Sequence, residues 1–356
     1  MKFGVYGPAS VSTIERSVRA EQIGYDFVSF SDSPMAFSDV FATAALTAQA
    51  TKTLTVGISV AAAGIRLPTV AANSLATLNK IAPGRVFAGF GTGTTSYGFM
   101  GIQTPATLKE LADYVRVVRG LLKGDEVEFE HRGVSQKTRF VMPDRGYIDV
   151  EASTPIYLAA HGPKGQTLAG EIADGLVEGW GTFKSMDEVK QRVQAGASKS
   201  GRDVSDFAYF TPQTIHLVDA DDDLASDQTI EETGAFVCIV LHEMYKSSAH
   251  KSADEMPPAV APIWDDYRRM MRSWPERDTF HYRAFAGHQT YIHPEERRFV
   301  TPAMIRMTHF VGRPEEVIER IREWDSAGVT HVTVSGTQAA LDNKMERFAR
   351  QVLAKL

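Results

Sequence analysis

The chain repeats one unit, a short apolar run followed by an amphipathic stretch at helical spacing, and that repeat limits the fold more than any other feature. Residues 3–6 read as a short buried strand, and Ile14, Val18 and Ile23 then form the stripe of a helix ending near Gly24. The unit recurs as strand 26–30 with helix 39–50, strand 54–60 with helix 69–81, and strand 85–89 with helix 105–122. Such spacing predicts parallel strands covered by helices. Strands over 155–159, 176–178, 207–218 and 329–334 bring the count to eight, with helices over 163–173, 185–197, 222–245, 314–327 and 339–353. An eight-strand count of this kind predicts α/β architecture as a single (β/α)₈ TIM barrel over 1–356, not an open doubly wound sheet. The residues just beyond each strand then form the active face.

Two stretches break the rhythm. Residues 126–150 read as an excursion with short strands. Residues 246–310 read as an insertion: six of the ten histidines and six of the 16 prolines fall between His242 and His309, with Trp264, Trp274, Phe280, Tyr282, Phe285 and Tyr291 interleaved. A connection this rich in aromatics argues for a lid over the active face, a packing subdomain or an oligomer contact.

Composition removes several classes. The formal charge of -6 comes from 44 acidic and 38 basic residues without a long block of either sign, so the cationic stripe that a nucleic-acid partner requires is absent. Arg268, Arg269 and Arg272, like Arg297 and Arg298, are small clusters of the kind that sit on solvated faces. With Cys238 as the one cysteine and no H-E-x-x-H spacing, neither an internal disulfide nor a metal site is expected. No basic leader or apolar span of about 18 residues is present, so the expected location is cytoplasmic, without a membrane partner.

Four strand ends carry candidate chemistry. The run Gly89-Phe90-Gly91-Thr92-Gly93-Thr94-Thr95-Ser96 combines glycines that let backbone N–H groups approach a ligand with hydroxyl donors. It reads either as a cofactor-lining loop, with Gly91, Gly93 and Thr94 in contact, or as a tight barrel-top turn. A dinucleotide fingerprint would follow the first strand and open directly into a helix, whereas here the next helix is expected only near Pro105. The run from Ala159 through Ala160, His161, Gly162, Pro163, Lys164 and Gly165 places proline at a first helical position. The N–H groups of Lys164, Gly165 and Gln166 are then expected to be free for a phosphate or carboxylate, with Lys164 adding charge or lying in solvent. Asp32, in Ser29-Phe30-Ser31-Asp32-Ser33-Pro34, either faces the site or caps the proline turn. The small residues of Gly57 to Gly64, with Ser59 and Val60 at their centre, suit a planar ring or a narrow barrel layer. His161, His288 and His293 are the candidate proton donors or substrate contacts; His216 reads as a hydrogen-bonded barrel residue, and Trp180 as a ring-pocket or core residue.

These segments resemble the bacterial luciferase-like superfamily of flavin-dependent oxidoreductases, which are (β/α)₈ barrels. The resembling pieces are KFGVYGP, IGYDFVSFSDS, TKTLTVGIS, RLPTVAANSLATLNKIAPGRVFAGFGTG, TPIYLAAHGPKGQTLAGEIADGL and VGRPEEVIERIREWDSAGVTHVTV. The resemblance implies a flavin across the barrel mouth, its phosphate near Gly162 to Gly165. It also implies a ring backed by a non-proline cis peptide at Ser59-Val60, and homodimers packed through early-barrel helices. Many relatives keep a histidine directly after the aspartate of the second-strand loop; Ser33 stands there in this chain, which moves that role to His161 or a lid histidine. The favoured expectation is a monooxygenase that uses reduced FMN, supplied by a separate flavin reductase, and oxygen on a small or medium organic substrate. The alternatives are hydride transfer with the deazaflavin coenzyme F-420 and a non-catalytic flavin-binding barrel.

Overall fold

A strand in a closed barrel sends alternate side chains inward, so the interior is a stack of layers. The computed structural model describes residues 1–159, 161–178, 185–220, 222–274 and 279–356. Its barrel strands are β1 (Lys2–Pro8), β2 (Phe27–Ser31), β3 (Thr55–Ala62), β4 (Val86–Gly91), β5 (Ile156–Ala159), β6 (Gly175–Val177), β7 (Ala208–Gln213) and β8 (His331–Ser335). They form the expected closed eight-stranded barrel, with β1 sealed against β8 in parallel, Lys2 opposite His331.

The lower interior layer is aromatic. Phe27, Phe87, Tyr157 and Phe210 form one buried cluster with Val177 and Ala208, and His331 meets Phe27 edge-on at 5.6 Å. Neighbouring strands make room with glycine: a Cβ on Gly57 would lie 2.0 Å from the Phe87 ring, and one on Gly4 2.3 Å from the Phe27 ring. Further along the same inward alternation come small polar residues, Ser29 and Ser31 on β2 and Thr333 and Ser335 on β8, all buried. The barrel is thus plugged below and hydrophilic above.

The covering helices are cut at their ends by local chemistry. Asp39 caps Val40–Ala50 by accepting from the N–H groups of Phe41 and Ala42. Thr107 and Glu110 form a capping box at Leu108–Leu122. Pro163–Ile172 and Met186–Ser200 touch through glycine: a Cβ on Gly170 would lie 1.9 Å from the Val193 carbonyl, and one on Gly196 1.9 Å from that of Thr167. This contact fixes the helix that begins at the barrel mouth.

The structure corrects three readings. Residues 207–218 do not form one strand: β7 ends at Gln213, and Ile215–Leu217 pairs instead with Phe310–Gly312 in a separate two-stranded sheet. His216 therefore lies outside the barrel, with Nδ1 3.8 Å from Glu232. A helix, Thr94–Phe99, follows Gly93 at once, well before the expected start near Pro105; Gly93 enters it at φ 81° with a Cβ position 2.3 Å from that of Ala62, so only glycine fits. The excursion, by contrast, holds the short strands expected of it, paired as the antiparallel hairpin Val127–His131 and Val134–Thr138.

The inserted segment has a core of its own, set on the helix Asp227–Ser248. Val237, Cys238 and Leu241 of that helix pack with Trp264, Tyr267, Met271, Phe299 and Met304. Within it, buried His242 and Glu296 are paired at 2.7 Å. Three arginines of the basic clusters are paired with neighbouring acids, Arg268 with Asp265, Arg269 with Asp266 and Arg297 with Asp227 and Glu231. Among the described residues no helix is long and apolar enough to cross a membrane.

Two predictions concern the fold. Gly196→Ala should destabilise the protein by about 1–3 kcal/mol through overpacking, read as a lower urea midpoint; an unchanged midpoint would show that the helix pair separates freely. Burial, reinforced by Lys2 and the N-terminal charge, lowers the His331 pKa to about 4, while burial with Lys344 and Arg347 brings His216 to about 4. Each protonates in the unfolded chain near its ordinary value of about 6.5 but stays neutral when folded. Stability is therefore unaffected above that value and falls as pH drops through 6.5 towards 4, by about 1.4 kcal/mol per pH unit per histidine. His331→Phe should make that decline shallower in denaturation series between pH 6.5 and 4.5.

Candidate active site

The strand ends open into a cavity of about 340 Å³, at the small end of the ~300–1,000 Å³ usual for small-molecule sites. Every barrel strand contributes to its wall: Tyr6 from β1, Ser31 from β2, Ser59 and Val60 from β3, Gly91 from β4, Ala159 from β5, Val177 from β6, Pro212 and Gln213 from β7, and Ser335 from β8. Asp32, Ser33 and the run Thr92 to Ser96 complete the loop side.

The β3 wall has the expected cis peptide at Ser59-Val60, where the pairing of β3 with β4 shifts register between Ile58 and Ala61. Glycine on β4 admits it: a Cβ on Gly89 would lie 2.6 Å from Val60 Cγ1, and one on Gly91 3.3 Å from both Val60 Cγ2 and Ala159 Cβ. The helix Thr94–Phe99 ties the loops together, since Ser96 Oγ donates to the Asp32 carbonyl at 2.7 Å and Tyr97 Oη to that of Ala63 at 2.9 Å.

Asp32 is not a turn cap. Its carboxylate is buried and held by Arg66, whose other nitrogen binds Asp39, the helix-capping residue. Burial raises the Asp32 pKa, and Arg66 opposes that rise. Arg66, with no periodic signature in the sequence, thereby ties the β2 loop to the helix that follows it.

At the β5 exit His161 lines the cavity, whereas Gly162, Pro163, Lys164 and Gly165 do not form its wall. Gly162, Pro163 and Lys164 are exposed, and Gly162 has no atom within 4 Å of its Cβ position, which leaves an open approach to the helix start. The Gln166 N–H is not free, as it donates to the Gly162 carbonyl at 3.0 Å. The first intrahelical bond takes that donor, so among the described residues the N–H groups without a partner at this helix start are those of Lys164 and Gly165. Ala160 and Trp180 lie outside the described residues.

The helix Asp227–Ser248 supplies Phe236, Ile239 and Glu243 to the cavity, and the insertion supplies His288, Gln289 and Thr308. Of its candidate histidines only His288 arrives there, seated edge-on against Phe99 at 5.1 Å and beside Phe37 at 6.4 Å. Burial, with His242 and Lys246 nearby, lowers its pKa to about 3; partial desolvation of the ring lowers that of His161, whose residue is otherwise exposed. His288 is therefore neutral near pH 7, and because burial disfavours its protonated form it serves as a hydrogen-bonding imidazole rather than as a base. His293 does not line the cavity; its Nε2 meets the Arg283 carbonyl at 3.2 Å and its ring packs on Trp274. Tyr6 and Gln289 escaped the sequence reading. Tyr6 sits on a strand end, where the barrel rule points, but nothing in the sequence brings Gln289 to it.

Ser33, Ser59, Thr92, Thr94 and Thr95 line this space together with apolar Val60, Val177, Pro212 and Ile239. Such a donor set suits a planar heterocycle with polar edges, and the nearby helix start suits an anionic tail. Gln289 Oε1, buried without a hydrogen-bond partner among the described residues, adds an acceptor that a ligand would satisfy.

A closed (β/α)₈ barrel with its cavity at the strand C-termini, roofed by an insertion, places this chain in the class of barrel proteins whose sites lie at that face. Residues 4–331 match the family described as luciferase-like monooxygenase, and the chain belongs to that family. It is 26% identical over 367 residues to the 5,10-methylenetetrahydromethanopterin reductase of Archaeoglobus fulgidus, covering 100% of both chains. It is 31% identical over 276 residues to the F420-dependent glucose-6-phosphate dehydrogenase of Mycobacterium avium, covering 70% of this chain and 79% of the relative. The solved coenzyme F420-dependent tetrahydromethanopterin reductase of Methanopyrus kandleri superposes with a TM-score of 0.70 at 20% identity, over 99% of each chain, a likeness of fold.

The Asp32 pair yields a prediction for the site. Arg66→Met should destabilise the protein by about 3–5 kcal/mol, because it leaves a buried carboxylate unpaired. Adding Asp32→Asn should recover part of that loss in chemical denaturation; additive losses would show that the two groups are energetically independent.

Proposed function

We propose that this chain is a hydride-transfer oxidoreductase dependent on the deazaflavin coenzyme F-420 and acting on a small organic substrate. The observation that carries this reading is the end-to-end sequence likeness to a methylenetetrahydromethanopterin reductase, joined by likeness to an F420-dependent dehydrogenase over 70% of the chain. It takes the place of the monooxygenase reading with reduced FMN, oxygen and a separate reductase.

The residues have separable tasks on this reading. Val60, on the β3 wall, would back the ring, and the hydroxyls of Ser59, Thr92, Thr94 and Thr95 would hold its polar edges. The N–H groups of Lys164 and Gly165 would take the phosphorylated tail at the helix start, and Gly162 leaves its approach open. When bound, the deazaflavin supplies hydride acceptance and donation without oxygen chemistry. His288 and His161 line the cavity as uncharged imidazoles and would hydrogen-bond the substrate through their ring nitrogens, in place of the donor role that the position now held by Ser33 has in many relatives. The insertion acts as a lid that excludes water from the mouth.

Titration of the purified protein with F-420 and, separately, with reduced FMN under anaerobic conditions tests the cofactor. Quenching of deazaflavin fluorescence at micromolar concentrations without saturable FMN binding is expected. Tight binding of reduced FMN with no F-420 binding would overturn the reading in favour of the monooxygenase.

A further inference from the structure

Gln289 is buried at the cavity wall in a left-handed backbone conformation, φ 56°, directly after the turn at Gly287, φ 82°, and His288. The turn is tight, since a Cβ on Gly287 would lie 2.5 Å from the Tyr291 carbonyl. Its conformation delivers the amide to the β1 end, where Gln289 Nε2 donates to the Tyr6 hydroxyl at 3.2 Å. The other end of the amide, Oε1, is buried and has no partner among the described residues. A buried, unpaired carbonyl is costly to leave unmade, and this one belongs to a residue of the cavity wall.

Tyr6 complements it. Its phenolic oxygen accepts from Gln289, and burial pushes its pKa up, with Gln289 and Ser31 opposing the rise. The phenol keeps its proton, and that proton is not used on Gln289. One acceptor and one donor therefore stand side by side, joined by a hydrogen bond and carried by two different parts of the chain. A hydroxyl group matches both, because it donates one hydrogen bond and accepts others. A carbonyl matches only the donor.

We propose that Tyr6 and Gln289 read the oxygen of a hydroxyl-bearing substrate: Gln289 Oε1 accepts the substrate O–H, and the Tyr6 phenol donates to the substrate oxygen. This deepens the hydride-transfer reading, on which the substrate chemistry rests, by making Gln289 the residue that distinguishes an alcohol from the corresponding carbonyl. Loss of the O–H on oxidation removes the Gln289 contact and keeps that of Tyr6, so the pair holds the alcohol more tightly than the ketone.

Cyclohexanol and cyclohexanone, a pair of nearly equal shape, are suitable probes for the F-420-loaded protein, with dissociation constants from calorimetry or ligand-observed NMR. The alcohol should bind about 3–10-fold more tightly, the range of one net hydrogen bond. Gln289→Leu should abolish the preference with ketone affinity kept, Gln289→Glu, which retains an acceptor, should preserve it, and Tyr6→Phe should weaken both ligands. Thermal melts of each variant establish that it folds. Equal affinities in the wild type, no saturable binding of either ring, or a preference that survives Gln289→Leu would overturn the proposal. So would a Gln289→Leu protein that loses F-420 while keeping its alcohol preference, since the pair would then read the cofactor. F-420 binding is measured separately by fluorescence, so failure of the cofactor reading is distinguishable from failure of this one.

Discussion

The interlocking of large rings with glycine inside the barrel is the constraint on which the remaining architecture depends. Phe27, Phe87, Tyr157 and Phe210 fill the lower interior, and Gly4 and Gly57 admit them at distances that no side chain could share. Because the inward period of a strand is two residues, this plug also fixes which residues face inward higher up. Ser29 and Ser31 follow Phe27 on β2, and Thr333 and Ser335 follow His331 on β8. A one-residue slip of any strand would bury the wrong set. The polar mouth is thus a consequence of the aromatic base.

Above that base the wall is set by close approaches between small residues. Val60 stands where Gly89 and Gly91 leave space, and the Gly93 turn starts the short helix whose Ser96 and Tyr97 secure the loops after β2 and β3. The same helix receives the insertion: Phe99 meets Phe285 at 4.6 Å and His288 at 5.1 Å. Since the insertion has its own core on Asp227–Ser248, it presents His288 and Gln289 from a packed body rather than from a loose loop. Preorganised presentation of that kind lowers the ordering cost that a ligand must otherwise meet.

Electrostatics at the mouth are arranged by burial. The acidic groups of the β2 loop, Asp32 and Asp39, are both held by Arg66, and His288 is held neutral. Glu243, the further carboxylate of the wall, is paired with Lys246 at 2.8 Å, and the hydroxyls, amide and phenol around it suit recognition by directional hydrogen bonds.

The barrel itself was legible from the sequence, because buried parallel strands and their covering helices carry distinct periods and the eight repeats are regular. So were the strand-end segments that form the mouth, among them Ser59, Val60, Gly91, Gly93, Thr94 and His161, since the barrel places active faces at strand C-termini. Where the pattern depended on long-range partners it misled. Apolar residues 207–218 look continuous, yet Ile215–Leu217 leaves the barrel to pair with Phe310–Gly312. The Gln166 N–H looked free until its helix was closed. His288 and His293 were indistinguishable as letters five residues apart, and only packing sent one to the cavity and the other to the Arg283 carbonyl. The pairing of Gln289 with Tyr6 spans 283 positions. Local periodicity determined the frame, whereas tertiary packing chose which side chains of the insertion meet the strand ends, because the insertion's own turns and core, not its composition, aim them there.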